Sequence, residues 1–164
     1  MTIVFRMEEL MELRRIASFQ VDHRKMGQGI YVSRADGDIV TYDVRMKKPN
    51  AGSYLPIAAL HAIEHLFATY ARSSELSDKV VYVGPMGCRT GFYLLVRDLS
   101  RSEAIELVRK SFAFIAAYAG AIPGASEAEC GNYKEHDLSG AKAEAAEYLK
   151  VIEGWTTAKL AYPE

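Results

Sequence analysis

Residues 54–71, YLPIAALHAIEHLFATYA, constrain this chain more than any other stretch. Ser53 can cap a helix here, Pro56 is tolerated in its first turn, and the apolar pattern carries it to about Arg72. Nearly every position is apolar, so the helix is expected to be buried on most sides. Its only readily charged side chains before Arg72 are His61, Glu64 and His65. At about 100° per residue all three fall within one arc of roughly 100°. A buried carboxylate needs a partner, because leaving it unpaired costs several kcal/mol. A hydrogen-bonded His–Glu–His cluster stitching helix to sheet would answer that need. So would a metal ion, since histidines at i and i+4 present their nitrogens to one point. By average usage H-x-x-E-H arises by chance in fewer than about 1 in 100 chains of this length, which favours the metal.

The rest of the chain supplies a scaffold for that helix. Residues 7–17 (MEELMELRRIA) read as a short surface helix. Ile30–Arg34 and Asp38–Met46 read as strands joined at an Ala35-Asp36-Gly37 turn. Lys79–Val83 and Phe92–Arg97 are two more, separated by the glycine-rich loop GPMGCRTG at 84–91. Ser102 to Ala119 is amphipathic and helical, 120–134 is irregular, and a helix opened by Ser139-Gly140 runs to about Val151. The order β-β-α-β-β-α-α predicts an α+β fold, an antiparallel sheet with helices packed on one face. The expected division is an N-terminal extension at 1–17, a single domain at 18–151 and a C-terminal tail at 152–164.

Charge and composition remove several function classes. The 20 Lys+Arg balance 21 Asp+Glu, leaving a net charge of −1. Such a chain carries no broad electrostatic footprint for nucleic acid or an anionic membrane. Its longest apolar run, Phe112–Ile122, is too short to span a bilayer. Glu8, Glu9 and Glu12 stand where a signal peptide needs an apolar core, and two cysteines do not make a disulfide scaffold. The expected location is the cytoplasm.

A metal at His61 and His65 needs at least a third ligand, for which His23, Cys88, Cys130, His136 and several carboxylates are candidates. Cys130 sits in an irregular Glu129-Cys130-Gly131 segment able to approach the helix, although a small buried hydrophobe would also suit it. Cys88 lies beside Arg89 in the glycine-rich loop, where a cation and exposed backbone N–H groups favour a thiolate. It is either an acid/base or nucleophilic group or a turn residue without a role.

Taken together these residues resemble the S-ribosylhomocysteine lyase (LuxS) family. The likeness rests on His61-Ala62-Ile63-Glu64-His65, Pro85-Met86-Gly87-Cys88-Arg89-Thr90-Gly91 and Cys130-Gly131 with His136-Asp137-Leu138. Ser18-Phe19-Gln20-Val21-Asp22-His23 and Tyr42-Asp43-Val44-Arg45, followed by Pro49-Asn50, are similar to two further family stretches. The resemblance implies that His61, His65 and Cys130 hold a divalent metal, usually Fe²⁺ and replaceable by Zn²⁺ or Co²⁺, with water as the fourth ligand. It implies that Cys88 and Glu64 form the acid/base pair. It also implies a homodimer with active sites at the interface, to which Ser18 and His23 come from the partner chain, while Arg45 could pair a substrate carboxylate.

The reaction so implied makes chemical sense of these residue types. An open-chain ribose bearing homocysteine sulfur at C5 has no acidic proton beside its leaving group. Moving the carbonyl from C1 to C2 and then C3 creates one at C4. Each shift passes through an enediolate, whose charge calls for a Lewis acid and whose proton movements call for an acid/base pair. β-Elimination then gives homocysteine and 4,5-dihydroxypentane-2,3-dione, the autoinducer-2 precursor, with no redox cofactor.

Two departures bear on substrate choice. Tyr82-Val83-Gly84 stands where the family has Asp-Ile-Ser, and the segment after His23 is shorter than in the family. A divergent lyase acting on a related ribosyl thioether is therefore one alternative. Others are an H-x-x-E-H metallopeptidase, whose third ligand is generally a carboxylate in a longer chain, and a structural metal site closed by His136 or His23.

Overall fold

The computed structural model describes residues 13–164 and shows an α+β arrangement. A four-residue helix, α1 (Ala17–Gln20), precedes a hairpin of β1 (Gly29–Asp36) and β2 (Ile39–Arg45). Helix α2 (Ile57–Ser73) leads to a second hairpin of β3 (Val80–Pro85) and β4 (Gly91–Arg97), followed by α3 (Arg101–Ala117) and α4 (Leu138–Ile152). The four strands form one antiparallel sheet in the order β1-β2-β4-β3. Asp36 pairs with Ile39, and Gly37 turns the chain between them at φ 62°. Hairpin turns that match strand twist need such a left-handed residue.

Alternation along the strands separates two sheet faces. Ile30, Tyr42, Val44, Phe92, Leu94 and Val96 join the core shared with α2, α3 and α4. Phe67 of α2 meets the rings of Phe92 and Phe112, and Phe112 meets Tyr148 of α4. Each such pair contributes about 0.5–1.5 kcal/mol beyond its buried area. The other face carries Thr41, Tyr93 and Leu95, which with Ile16, Ala17, Ser18 and Tyr82 line an open apolar groove.

Several local expectations are corrected. Residues 13–16 are not helical, and helix begins only at Ala17; the 7–12 part of the expected surface helix lies outside the described residues. Ser53 does not cap α2, whose N-cap is Pro56 without a side-chain bond. The chain before it is drawn away, because the Leu55 N–H donates to the Arg89 carbonyl at 2.9 Å. Nor is α2 buried on most sides: its covered stripe is Ala59, Ala62, Ile63, Leu66, Phe67 and Ala71, while Ile57 is exposed. Helix α3 starts on a capping box of Ser100 and Glu103, and α4 on Asp137, whose side chain accepts from the Gly140 N–H. Both oxygens satisfy amide donors that a helix start leaves unpaired. The 84–91 loop is a tighter turn than expected, since β3 continues through Pro85 and β4 begins at Gly91. A Cβ at Gly91 would strike the Val44 carbonyl oxygen, so close strand approach excludes any larger residue there.

The expected tail after residue 151 is packed against the sheet. Ile152 and Leu160 are buried, the Leu160 carbonyl accepts from the Val32 N–H at 2.8 Å, and Trp155 Nε1 donates to the Ile30 carbonyl at 3.0 Å.

Candidate metal centre

Helix periodicity places His61 and His65 on one side of α2, and the irregular stretch between α3 and α4 wraps that side. Each imidazole is pinned through Nδ1, His61 to the Glu135 carbonyl at 2.8 Å and His65 to the Pro123 carbonyl at 2.7 Å. A carbonyl can only accept, so Nδ1 carries the proton in both rings and Nε2 of the neutral ring keeps its lone pair. This is the orientation that metal-ligating histidines receive from their backbone partners. The Asp137 N–H donates to the Ala58 carbonyl at 3.0 Å and ties the wrapping stretch to the start of α2.

That stretch brings two more donors. Cys130 Sγ lies 3.4 Å from His61 Nε2. Donor atoms of His61, His65, Cys130 and His136 all lie within 4.8 Å of one another. His136 stacks on His61 with ring centroids 3.9 Å apart and an interplanar angle of 23°. Both of its ring nitrogens are buried without a hydrogen-bond partner among the described residues. Burial, then the neighbouring His61 and His65, push its pKa down and favour the neutral ring. Soft thiolate with neutral imidazoles suits Fe²⁺, Co²⁺ or Zn²⁺. The residues fit a divalent metal, for which His61, His65, Cys130 and His136 are the candidate donors.

Glu64, one turn along α2 from His61, is half-buried, and its carboxylate has no hydrogen bond or ion pair among the described residues. The burial cost expected for it is correspondingly reduced.

Ser18, His23, Arg45 and Cys88 come together in a separate cleft of about 370 Å³, with Thr90 and Tyr93 also in its walls. Ser18 and His23, which the resemblance assigns to a partner chain's site, lie in this chain's cleft beside Arg45 and Cys88. The cation beside Cys88 is not the adjacent Arg89. Arg89, at φ 59°, sends its guanidinium over Tyr54 and to the Leu55 carbonyl at 3.3 Å. Arg45 takes that place, with Nη1 3.9 Å from Cys88 Sγ and 2.6 Å from Thr90 Oγ1. Cys88 Sγ also lies 3.0 Å from Thr90 Oγ1.

Arg45 is buried in the sheet. It is 2% exposed and forks onto Asp43, Nε to Oδ1 at 3.0 Å and Nη2 to Oδ2 at 2.6 Å. Burial opposes its charge, but Asp43 beside it prevails and raises its pKa. Asp43 and Thr90 were missed as site residues. The signal for Asp43 was available, since residues two apart on a strand share a face.

Fold and donor set together define a class, a small α+β protein whose half-buried His and Cys donors can hold a divalent cation. A model of the S-ribosylhomocysteinase (LuxS) family matches residues 16–159. The chain is 49% identical to an S-ribosylhomocysteine lyase of Phocaeicola vulgatus, over 92% of this chain and 98% of that protein. It is 45% identical to the lyases of Borreliella burgdorferi and Finegoldia magna, over 92% and 93% of this chain and all of each relative. The chain belongs to the S-ribosylhomocysteinase (LuxS) family.

Proposed function

We infer that the chain cleaves the thioether of S-ribosylhomocysteine, giving homocysteine and 4,5-dihydroxypentane-2,3-dione by carbonyl migration and β-elimination. The observation that carries this reading is the convergence of Cys130 on His61 and His65 with both Nδ1 atoms held by backbone carbonyls. A divalent cation held there supplies Lewis acidity to the oxygens of the opened sugar. His61, His65 and Cys130 are its ligands, and Fe²⁺ is the metal proposed, with Zn²⁺ or Co²⁺ able to substitute.

Glu64 and Cys88 move the protons. Glu64 has a carboxylate unengaged among the described residues, and Cys88 is a free thiol at a tight exposed turn with a cation at hand. Each carbonyl shift needs one group to take a proton from carbon and return it one position along. Ser18 and His23 line the cleft that receives the homocysteine arm; Arg45, in the same wall, already gives its N–H groups to Asp43 and Thr90 and so shapes the cleft rather than pairing the carboxylate. The reading includes a homodimer closing over the open sheet face, where Tyr82 is 53% exposed, with the active sites at the interface. The reading places this enzyme in the cytoplasm; among the described residues no helix is long and apolar enough to cross a membrane.

Anaerobic purification, metal analysis and a free-thiol assay with S-ribosylhomocysteine test the function. Stoichiometric thiol release is expected; a metal-loaded protein that releases none overturns it. With Fe²⁺ bound, activity decays in air and returns on adding Co²⁺, and indifference to oxygen identifies Zn²⁺ instead.

A further inference from the structure

We propose that Tyr162, in the segment after Leu160, is a positioning residue that sets the Arg45 guanidinium against Cys88 through Asp43. The inference rests on the reading of Cys88 as a proton-transfer group. Tyr162 donates its hydroxyl to Asp43 Oδ2 at 2.8 Å. That oxygen also accepts from Arg45 Nη2, and the other end of the same guanidinium reaches Thr90 and Cys88. The chain of contacts therefore runs from the last turn of the polypeptide to the thiol without a gap.

The inner links, Asp43 and Arg45, are buried. Asp43 is 1% exposed, and the Tyr162 ring stacks on Tyr31 at 5.1 Å between centroids. Burial, then the charge of Asp43, raise the Tyr162 pKa, so its hydroxyl stays a donor at neutral pH. A carboxylate that shares its charge with a phenol draws less on the guanidinium beside it. Arg45 then keeps more of its field for the sulfur, and its fork is held at both oxygens. The anchoring contacts of Leu160 and Trp155 on β1 deliver Tyr162 to this spot.

The test compares Tyr162→Phe with Tyr31→Phe in the metal-loaded enzyme. Tyr31→Phe takes a hydroxyl from the same stacked pair, one that bonds the Gly27 carbonyl and not Asp43. Two readouts are needed: kcat and KM for thiol release, and the rate of iodoacetamide alkylation at Cys88, distinguished from Cys130 by peptide mapping. Tyr162→Phe is expected to lower kcat and alkylation about fivefold with KM unchanged, the loss of one hydrogen bond. Tyr31→Phe is expected to leave both at the wild-type value. Wild-type kcat and alkylation in Tyr162→Phe, or equal losses in both variants, overturn the proposal. Alkylation needs no substrate, so slowed alkylation in a protein that releases no homocysteine supports the positioning role and overturns only the assigned reaction.

Discussion

The metal centre and the Cys88 cleft solve opposite problems with buried polar groups. Around Cys88 the valences are filled: Asp43 binds Arg45 twice and Tyr162 once, and Arg45 goes on to Thr90. Around His61 they are left open: His136 has two buried nitrogens with no partner among the described residues, and the Nε2 atoms of His61 and His65 are not spent on carbonyls. A filled network holds a charge in place. An open one leaves donors available to a cation. The first is expected to answer substitution mainly in stability and rate, and the second in metal content.

The largest contrast should come from the two cysteines. Cys130→Ala removes a donor and is expected to abolish metal binding and thiol release together. A fully loaded mutant by elemental analysis would break the contrast at its root. Cys88→Ala is expected to keep its metal and lose about 10²–10⁴-fold in turnover, the range for a lost general acid/base group. Metal loss without a rate defect would move Cys88 out of the chemistry.

Asp43→Ala sharpens the same comparison from the cleft side. It leaves the buried Arg45 unpaired and should cost about 3–5 kcal/mol of stability in urea unfolding, with metal content unchanged. A cost below about 1 kcal/mol would mean that water reaches the guanidinium and that the network is less closed than its geometry indicates.

The two regions also differed in how far the sequence disclosed them. His61, Glu64 and His65 lie on one side of a single helix, so periodicity alone placed them together. The hairpins and the order of the elements followed from alternation and turn residues. Cys130 was a candidate among several, because nothing local says where an irregular segment docks. Its arrival at His61 depends on carbonyls of Pro123 and Glu135 that no side-chain pattern encodes. Arg45 lay in plain sight, yet its burial was illegible: it depends on Thr90 and the C-terminal segment coming from elsewhere. Tyr162 and Asp43 are 119 positions apart, and no spacing rule connects them. Local chemistry was readable, and contacts made by tertiary docking were not.

His136 gives the smallest expected effect and the finest distinction between the regions. Its ring is nearly parallel to that of His61 at 3.9 Å, and the lone pairs of two stacked rings lie in separate planes. One cation cannot sit in both planes at bonding distance, so His61 and His136 do not ligate together in this arrangement. In the proposed site His136 supports the His61 ring. His136→Phe keeps an aromatic surface against His61 and removes two orphaned nitrogens. Removing unsatisfied buried groups should raise the stability of the metal-free protein by about 1 kcal/mol, since each costs about 1–3 kcal/mol and some relaxation is expected. Metal affinity should fall by about tenfold, the lower end for losing a group that orients a ligand. Complete metal loss on the scale of Cys130→Ala would make His136 a ligand and require its ring to turn out of the stack. Unchanged affinity with lower stability would make it a packing residue, and the open valences of this region would then belong to His61, His65 and Cys130 alone.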